Sequence, residues 1–286
     1  MTKLITTRKL VCLLLAAFTA ITSIAMFVLL ADRAYMAGDI YLGVVDESHD
    51  YTPDENPLII KSLEDLIYIR DAVNSGDKVA YTYNNGSMRK EVDARSASYR
   101  LMSNIVLSGE WTPIGNSLES SFTGTFDGYG KTVSGLLISD STAAVTGLFG
   151  YNSGVICNVV VQGSISANNR AGGIAGVNTG EINGCTNEAV ITTSGEFTGG
   201  IAGENKGGRI YNCANKAAVR GFLRVGGITG ACTVSGSCGI VRNSYNHDNI
   251  RGEGKGNSEG LLGGIAGSVD GSGSGRLENC YNYGSV

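Results

Sequence analysis

GGIAG stands at residues 172–176, 199–203 and 263–267, and GGITG at 226–230. Taken alone, the pentapeptide has two readings. Paired glycines beside small apolar residues form loops that cradle phosphate, and they also form corners where backbone passes close to backbone. Recurrence decides between them. Segments beginning at Gly147, Gly173, Gly200, Gly227 and Gly264 are offset by 26, 27, 27 and 37 residues. A fixed period of roughly 20–50 residues marks stacked repeats, not a single ligand loop.

Aligning the segments gives columns. One column contains Val133, Ile156, Ile182, Ile210, Val241 and Leu277. Three residues later come Leu136, Val159, Cys185, Cys213, Ser244 and Cys280, and farther on Ile165, Ile191, Val219, Ile250 and Val286. Helical repeats need ten or more residues of 3.6-period pattern, which no segment carries. Propeller blades run about 40–45 residues, longer than this period. Leucine-rich repeats share the period, but their asparagine-punctuated leucine pattern is missing. Short strands joined by glycine corners fit a right-handed parallel β-helix, whose columns stack about 4.8 Å apart. Ile174, Ile201, Ile228 and Ile265 are its expected core residues. Two asparagine columns, Asn158/Asn212/Asn243/Asn279 and Asn187/Asn215/Asn246/Asn282, are expected to form amide ladders at corners. The polar residues from Arg251 that lengthen the last interval are expected to form a surface loop.

Composition supports this division of the chain. Of 42 glycines, 36 lie in residues 121–286, while Pro53, Pro57 and Pro113 all precede them. Residues 121–286 are the solenoid, with the last coil incomplete at Val286. That ending predicts either a truncated product or a module that expects more sequence. The net charge of −4 and the lack of a basic stripe exclude the usual footprint of a nucleic-acid binder.

At the other end, Lys3, Arg8 and Lys9 precede an uncharged apolar run, Leu10 to Ala31. Twenty-two helical residues span about 33 Å, enough for a bilayer core. The charges before the run place the N-terminus inside and the remainder outside. Residues 1–31 are therefore an N-terminal transmembrane anchor or a cleavable signal peptide, and both export the rest of the chain. Residues 32–56, acidic near their end, fit a linker. Residues 57–120 fit a small α/β cap. In it, Ser62 caps a helix carrying Leu63, Leu66, Ile69 and Val73 and stopped by Gly76, and the stretch from Tyr99 alternates like a strand.

FTGTFDGYGKTVSGLLI from Phe122, with GLFG at 147–150, resembles the GLUG-motif repeat proteins of bacterial cell surfaces. SLEDLIYIRDAVNSG and MSNIVLSGEWTPIG resemble the cap that precedes such repeats. The resemblance covers about residues 58–286. It implies a β-helical, adhesin-like or substrate-engaging region of a large surface protein, some of which are peptidases. No peptidase, sortase or cell-wall segment accompanies it here.

Candidate chemistry is sparse. GYGKT at 128–132 lacks the first P-loop glycine, since Thr125 occupies that position, and Asp127 is better placed as a turn residue. His49 and His247 are the only histidines. His247 shares its repeat slot with Glu188, Lys216 and Tyr283, as an outward residue does. The repeat-zone carboxylates, among them Asp127, Glu188, Glu196, Glu204 and Glu278, rarely recur at one slot. A glycan-cleaving β-helix needs two of them facing one groove. SVDGSGSG from Ser268 has one aspartate where a nonapeptide calcium repeat needs tandem copies. Cys185, Cys213 and Cys280 are expected inward, either as small hydrophobes or within disulfide range of one another. Cys232 and Cys238 bracket a short turn that a disulfide can close, and Cys12 belongs to the apolar run.

The expectation is therefore a noncatalytic binding module or stalk displayed at the cell membrane. It has no catalytic, cofactor or metal residues, and host or cell-wall glycan or protein is its partner. The alternatives are the substrate-recognition region of a larger surface peptidase and, behind it, a glycan-cleaving enzyme.

Overall fold

The computed structural model describes residues 40–235, 237–253, 260–270 and 275–286. By its contacts the chain divides into residues 1–40 and 41–286, and the solenoid belongs wholly to the second unit. The transmembrane or signal reading of residues 1–31, with Cys12, lies outside the described residues. Among the described residues, no helix is long and apolar enough to cross a membrane.

Residues 41–286 form an all-β parallel solenoid of about five turns with little helix. Strands 98–101, 125–127, 155–157, 181–183, 209–211, 240–242 and 276–278 stack in parallel as sheet 1. Sheet 2 stacks strands 105–106, 132–140, 160–167 and 186–193, followed by the broken strands of later coils. Sheet 3 stacks 149–152, 175–178, 202–206, 229–235 and 266–269. A shorter sheet 4, strands 196–199, 223–226 and 262–263, lies just before the GG corners.

The registers bear out most of the columns. Ile156, Ile182, Ile210, Val241 and Leu277 are consecutive Cα partners. Val133 is not their first member: Phe126 pairs with Ile156, while Val133 pairs with Val161 in sheet 2. Leu136 likewise pairs with Gly163, not Val159. The first coil spends two more residues between its sheet 1 and sheet 2 strands than the next coil does, which displaces the alignment. Ile165, Ile191, Val219 and Ile250 share one column. Ile174, Ile201 and Ile228 are fully buried, and burial of each contributes about 1.5–3 kcal/mol. Ile265 is partly buried.

The GG corner is explained by space, not torsion. The positive-φ glycines do not include those of the GGIAG copies. A Cβ on Gly173, Gly200, Gly227 or Gly264 would lie 2.0–2.4 Å from the side chain of Asn187, Asn215, Asn246 or Asn282. These asparagines form a ladder, buried at Asn187, Asn215 and Asn246. Each Nδ2 donates to the next Oδ1, at 2.8 Å from Asn187 to Asn215, 2.7 Å from Asn215 to Asn246 and 2.7 Å from Asn246 to Asn282. The second glycine of each pair is thus the hollow into which the ladder packs.

The cap matches its helix forecast. Leu63–Ser75 is helical, Ser62 and Asp65 complete a capping box, and Gly76 closes the helix at φ 76°. Leu66, Ile69 and Val73 are buried. Asn74 ties the helix to the first coil, donating to the Pro113 carbonyl and accepting from Gly115 N. Two features differ from the sequence reading. The single strand expected from Tyr99 is two strands, 98–101 in sheet 1 and 105–106 in sheet 2. Residues 40–56, expected as linker, are folded: Gly43–Val44 pairs antiparallel with the strand 58–60. Asn56 organises this segment by donating to the carbonyls of Asp46, His49 and Asp50 and accepting from Asp46 N. A polar stretch whose backbone groups are satisfied this way folds despite its composition.

Candidate functional site

Beside sheet 3 the solenoid carries an open groove of about 550 Å³, lined in part by Tyr151, Ser153, Arg170, Thr179, Glu204 and Lys206. Each coil contributes differently. Tyr151, Val177 and Glu204 are in register on adjacent sheet 3 strands, alternating with the inward Asn152, Asn178 and Asn205. These inward residues form a third amide ladder, with Asn152 donating to Asn178 at 2.8 Å and Asn178 to Asn205 at 2.9 Å. This ladder was not among the expected columns, although each asparagine stands two residues after the last glycine of its corner. Cys232 is the next residue in this register, buried at 1% exposure.

Beside sheet 3 runs a row of hydroxyls, with Ser153 and Thr179 just after their strands and Ser121 just before the bridge from Phe122 to Asn152. Ser121 Oγ lies 2.9 Å from Ser153 Oγ, and Ser153 Oγ lies 2.8 Å from Thr179 Oγ1. Ser121 and Ser153 also line a second hollow of about 460 Å³, which reaches the cap at Asp93, Arg95 and Glu119. The two hollows share these serines and Leu118 and make one continuous surface.

A strained corner row contributes Arg170 to the groove lining. Arg170, Phe197 and Arg224 occupy equivalent positions of successive coils, at φ 37°, 63° and 55°. Both guanidiniums stack on the Phe197 ring, Arg170 at 4.8 Å and Arg224 at 5.0 Å from its centroid. Arg170 Nε donates to Glu204 at 2.8 Å, Thr233 Oγ1 donates to the same carboxylate at 2.8 Å, and Arg224 pairs with Glu196. The last glycine of each corner lets this row approach the next coil: a Cβ on Gly203 would lie 2.5 Å from Arg170 C.

The carboxylates flagged in the sequence are paired across coils. Asp127 meets Arg100 at 2.9 Å, Glu188 meets Lys216 at 3.7 Å and Glu278 meets Arg242 at 2.6 Å. In the first hollow the lining holds one carboxylate, Glu204, already engaged by Arg170. At the cap end the Arg95 guanidinium holds Asp93 below its ordinary value. Asp127 also accepts from Tyr129 N at 2.9 Å, the turn role expected of it. His247 is exposed. No group of three or more His, Cys, Asp or Glu residues that could hold a metal occurs among the described residues. The candidate calcium stretch from Ser268 lies partly outside them.

The cysteines correct one expectation and refine another. Cys232 is a free, inward thiol, not half of a disulfide closing the turn to Cys238. Cys185 and Cys213 are free and fully buried in the predicted column beside Ser244, whose hydroxyl accepts from Cys213 N at 3.1 Å. Burial pushes the Cys157 and Cys232 thiols up to about 12. Thiols so displaced stay protonated and behave as packing groups, since the thiolate is the nucleophile.

No protein-family model matches the chain. It is 32% identical over 180 residues to Halomucin of Haloquadratum walsbyi, a match covering 59% of this chain and 2% of that protein. The chain thus corresponds to a small part of Halomucin's length. It is similar in fold to the crystal structure of a "putative immunoglobulin A1 protease" from Bacteroides ovatus. That match has a TM-score of 0.60 and 21% sequence identity, and it covers 81% of this chain and 67% of that one. At this identity the likeness shows the shared fold alone.

Proposed function

We propose that this chain is an exported, surface-displayed solenoid that binds without catalysing. It is an adhesin-like module or stalk whose outward residues contact glycan or protein, with its coils right-handed as nearly all parallel crossovers are. The observation that carries this reading is the continuous groove beside sheet 3. Its walls are hydroxyls, an aromatic ring and cations set on a rigid stack of coils, and its first hollow holds a single, ion-paired carboxylate. Stacked repeats build extended binding surfaces because neighbouring coils bring the same slot into line. The match to a small part of Halomucin supports a repeating module that also occurs within a far longer chain, and the GLUG-type resemblance supports surface display. A transmembrane segment at residues 10–31 supplies the anchor in this reading, or a cleaved signal the export.

A second reading makes the same coils the substrate-recognition region of a larger surface peptidase. The fold shared with the Bacteroides ovatus structure favours it. One experiment tests the first reading. The full-length protein is applied to an array of glycans and cell-wall polymers, and bound material is examined for cleavage. Binding with intact ligand is expected. Shortened ligand would refute the noncatalytic part, and no binding to any glycan or polymer on the array, or to surface proteins spotted beside them, would refute the whole.

A further inference from the structure

The groove's chemistry goes further than a general binding surface. Its hydroxyl row places one Ser or Thr on each of three successive coils, at Ser121, Ser153 and Thr179. Their oxygens lean together to 2.9 and 2.8 Å across coils that stack about 4.8 Å apart. A hydroxyl donates once and accepts twice. Thr179 Oγ1 donates to the Asn152 carbonyl at 3.1 Å. Ser153 therefore donates to Thr179, and Ser121 to Ser153 or the Tyr151 carbonyl, so what the row keeps is acceptor lone pairs. A sugar hydroxyl can donate to such an acceptor. The row therefore offers a linear glycan a repeated match that an apolar peptide would not use. Half-buried Tyr151 adds a ring face beside it.

Charge narrows the class. Lys206 is exposed on the groove wall and no described residue pairs with its ammonium. Arg170 spends Nε on Glu204, and its terminal nitrogens have no hydrogen-bond partner among the described residues. Glu204 is engaged from two sides, by Arg170 and Thr233. The first hollow is therefore locally cationic in a chain whose net charge is −4. Backbone strain marks the corner row to which Arg170 belongs. A left-handed φ is costly for a residue with a Cβ, and glycine or asparagine would relieve it. At the same torsion on its other corner the chain uses Asn158, Gly184, Asn212, Asn243 and Asn279. Here it keeps Arg170 in the groove lining, with Phe197 and Arg224 at the same torsion in the next coils outside that lining. Strain retained at a groove wall is a reason to look for a role in the side chain.

We propose that this groove binds a linear anionic glycan lying along the solenoid axis. In this arrangement Lys206 and the free nitrogens of Arg170 take its acidic groups, and Ser121, Ser153 and Thr179 take its hydroxyls. The proposal rests on the binding-module reading and assigns that reading its site and ligand class. Carboxylate and sulfate groups share the relevant chemistry, so the probes separate them.

Calorimetry of the full-length protein with polygalacturonate oligomers, dextran sulfate and neutral dextran tests the proposal. One or both anionic polymers are expected to bind, more weakly as salt screens the contact, and dextran is not. Lys206→Gln should weaken binding about tenfold, the usual size of one charge-assisted contact. Ser153→Ala should weaken it several-fold. Arg220→Gln, which removes an exposed cation on sheet 2, should leave it unchanged. Lys206 is exposed, so an unchanged unfolding midpoint shows that its variant folds. Equal losses from Lys206→Gln and Arg220→Gln would mean diffuse charge attraction and overturn the proposal. So would dextran binding as well as the charged polymers. If array ligands bind but are indifferent to Lys206→Gln and Ser153→Ala, this site is wrong while the binding-module reading stands. If nothing binds at all, both fall.

Discussion

Two rows of this solenoid are built the same way, one residue per coil, and they obey opposite rules. The inner row Asn187, Asn215, Asn246 and Asn282 keeps one residue type, is buried over its first three members, and is hydrogen-bonded head to tail. The corner row Arg170, Phe197 and Arg224 changes type from coil to coil, is half-exposed, and holds side chains at torsions they resist. An inner amide has to satisfy its partners above and below in a dry interior, where an unmet donor costs about 1–3 kcal/mol. That demand fixes asparagine, and asparagine in turn fixes glycine at the corner it packs against. A corner side chain meets no such demand. The inner row keeps the coils stacked in register, and the outer row is free to differ.

The largest effect expected from breaking this contrast is at Asn215. Asn215→Ala removes the acceptor for Asn187 Nδ2 and the donors to Asn246 Oδ1 and the Ala217 carbonyl. Three bonds at about 1 kcal/mol each, in a buried network, give a loss of about 2–4 kcal/mol. Urea unfolding followed by far-ultraviolet circular dichroism measures it. A loss below about 1 kcal/mol would show that the ladder does not hold the coils together.

Phe197→Gly sharpens the other side. Glycine relieves a left-handed torsion worth about 1–2 kcal/mol and forfeits two cation–π contacts of about 0.5–1 kcal/mol each. These nearly cancel, so stability should change by less than about 1 kcal/mol. For a domain of this size that shifts the melting temperature by no more than about 2–4 °C. A melting temperature lowered as far as that of Asn215→Ala would mean the corner row is structural after all, and the contrast would collapse.

This contrast also explains what the sequence made legible. The period was visible because glycine is forced wherever the ladder or the next coil leaves no room for a Cβ, as at Gly200 and Gly203. The aliphatic columns were visible because inward positions tolerate little besides Ile and Val. Alignment slipped only in the first coil. There the strand 132–140 offers Val133, Leu136 and Ile138 as rival candidates, and a longer corner hides the true partner, Phe126. The groove was not legible. Its residues come from separate coils, at outward positions that share no residue type. The one steady sign, a hydroxyl at 121, 153 and 179, is lost among the many other serines and threonines. The folded segment 40–56 was hidden for a different reason: one side chain, Asn56, supplies the order that composition alone denies.

The smallest effect concerns pH, and it separates the uncharged interior from the charged cap. The inner rows do not titrate in acid. In the cap, the Lys90 ammonium and then the Tyr81 hydroxyl hold Asp50 below its ordinary value, and Ser48 does the same for Asp46. A carboxyl whose folded value is lowered contributes stability that is full above its unfolded value, near 3.8. That stability is lost as pH falls toward the folded value, because the unfolded chain takes up the proton first. Asp46 is exposed and Asp50 partly so, and solvent screening keeps the effect small. Acid below about pH 4 should therefore loosen the cap before the coils. Trp111, the single tryptophan, reports the cap junction, since Arg70 of the helix stacks on its ring at 4.9 Å. Its fluorescence should change at a higher pH than the far-ultraviolet signal of the sheets, and Asp50→Asn should bring the two transitions closer. Coincident transitions in the parent protein would show that cap and coils unfold as one unit and share a single acid response.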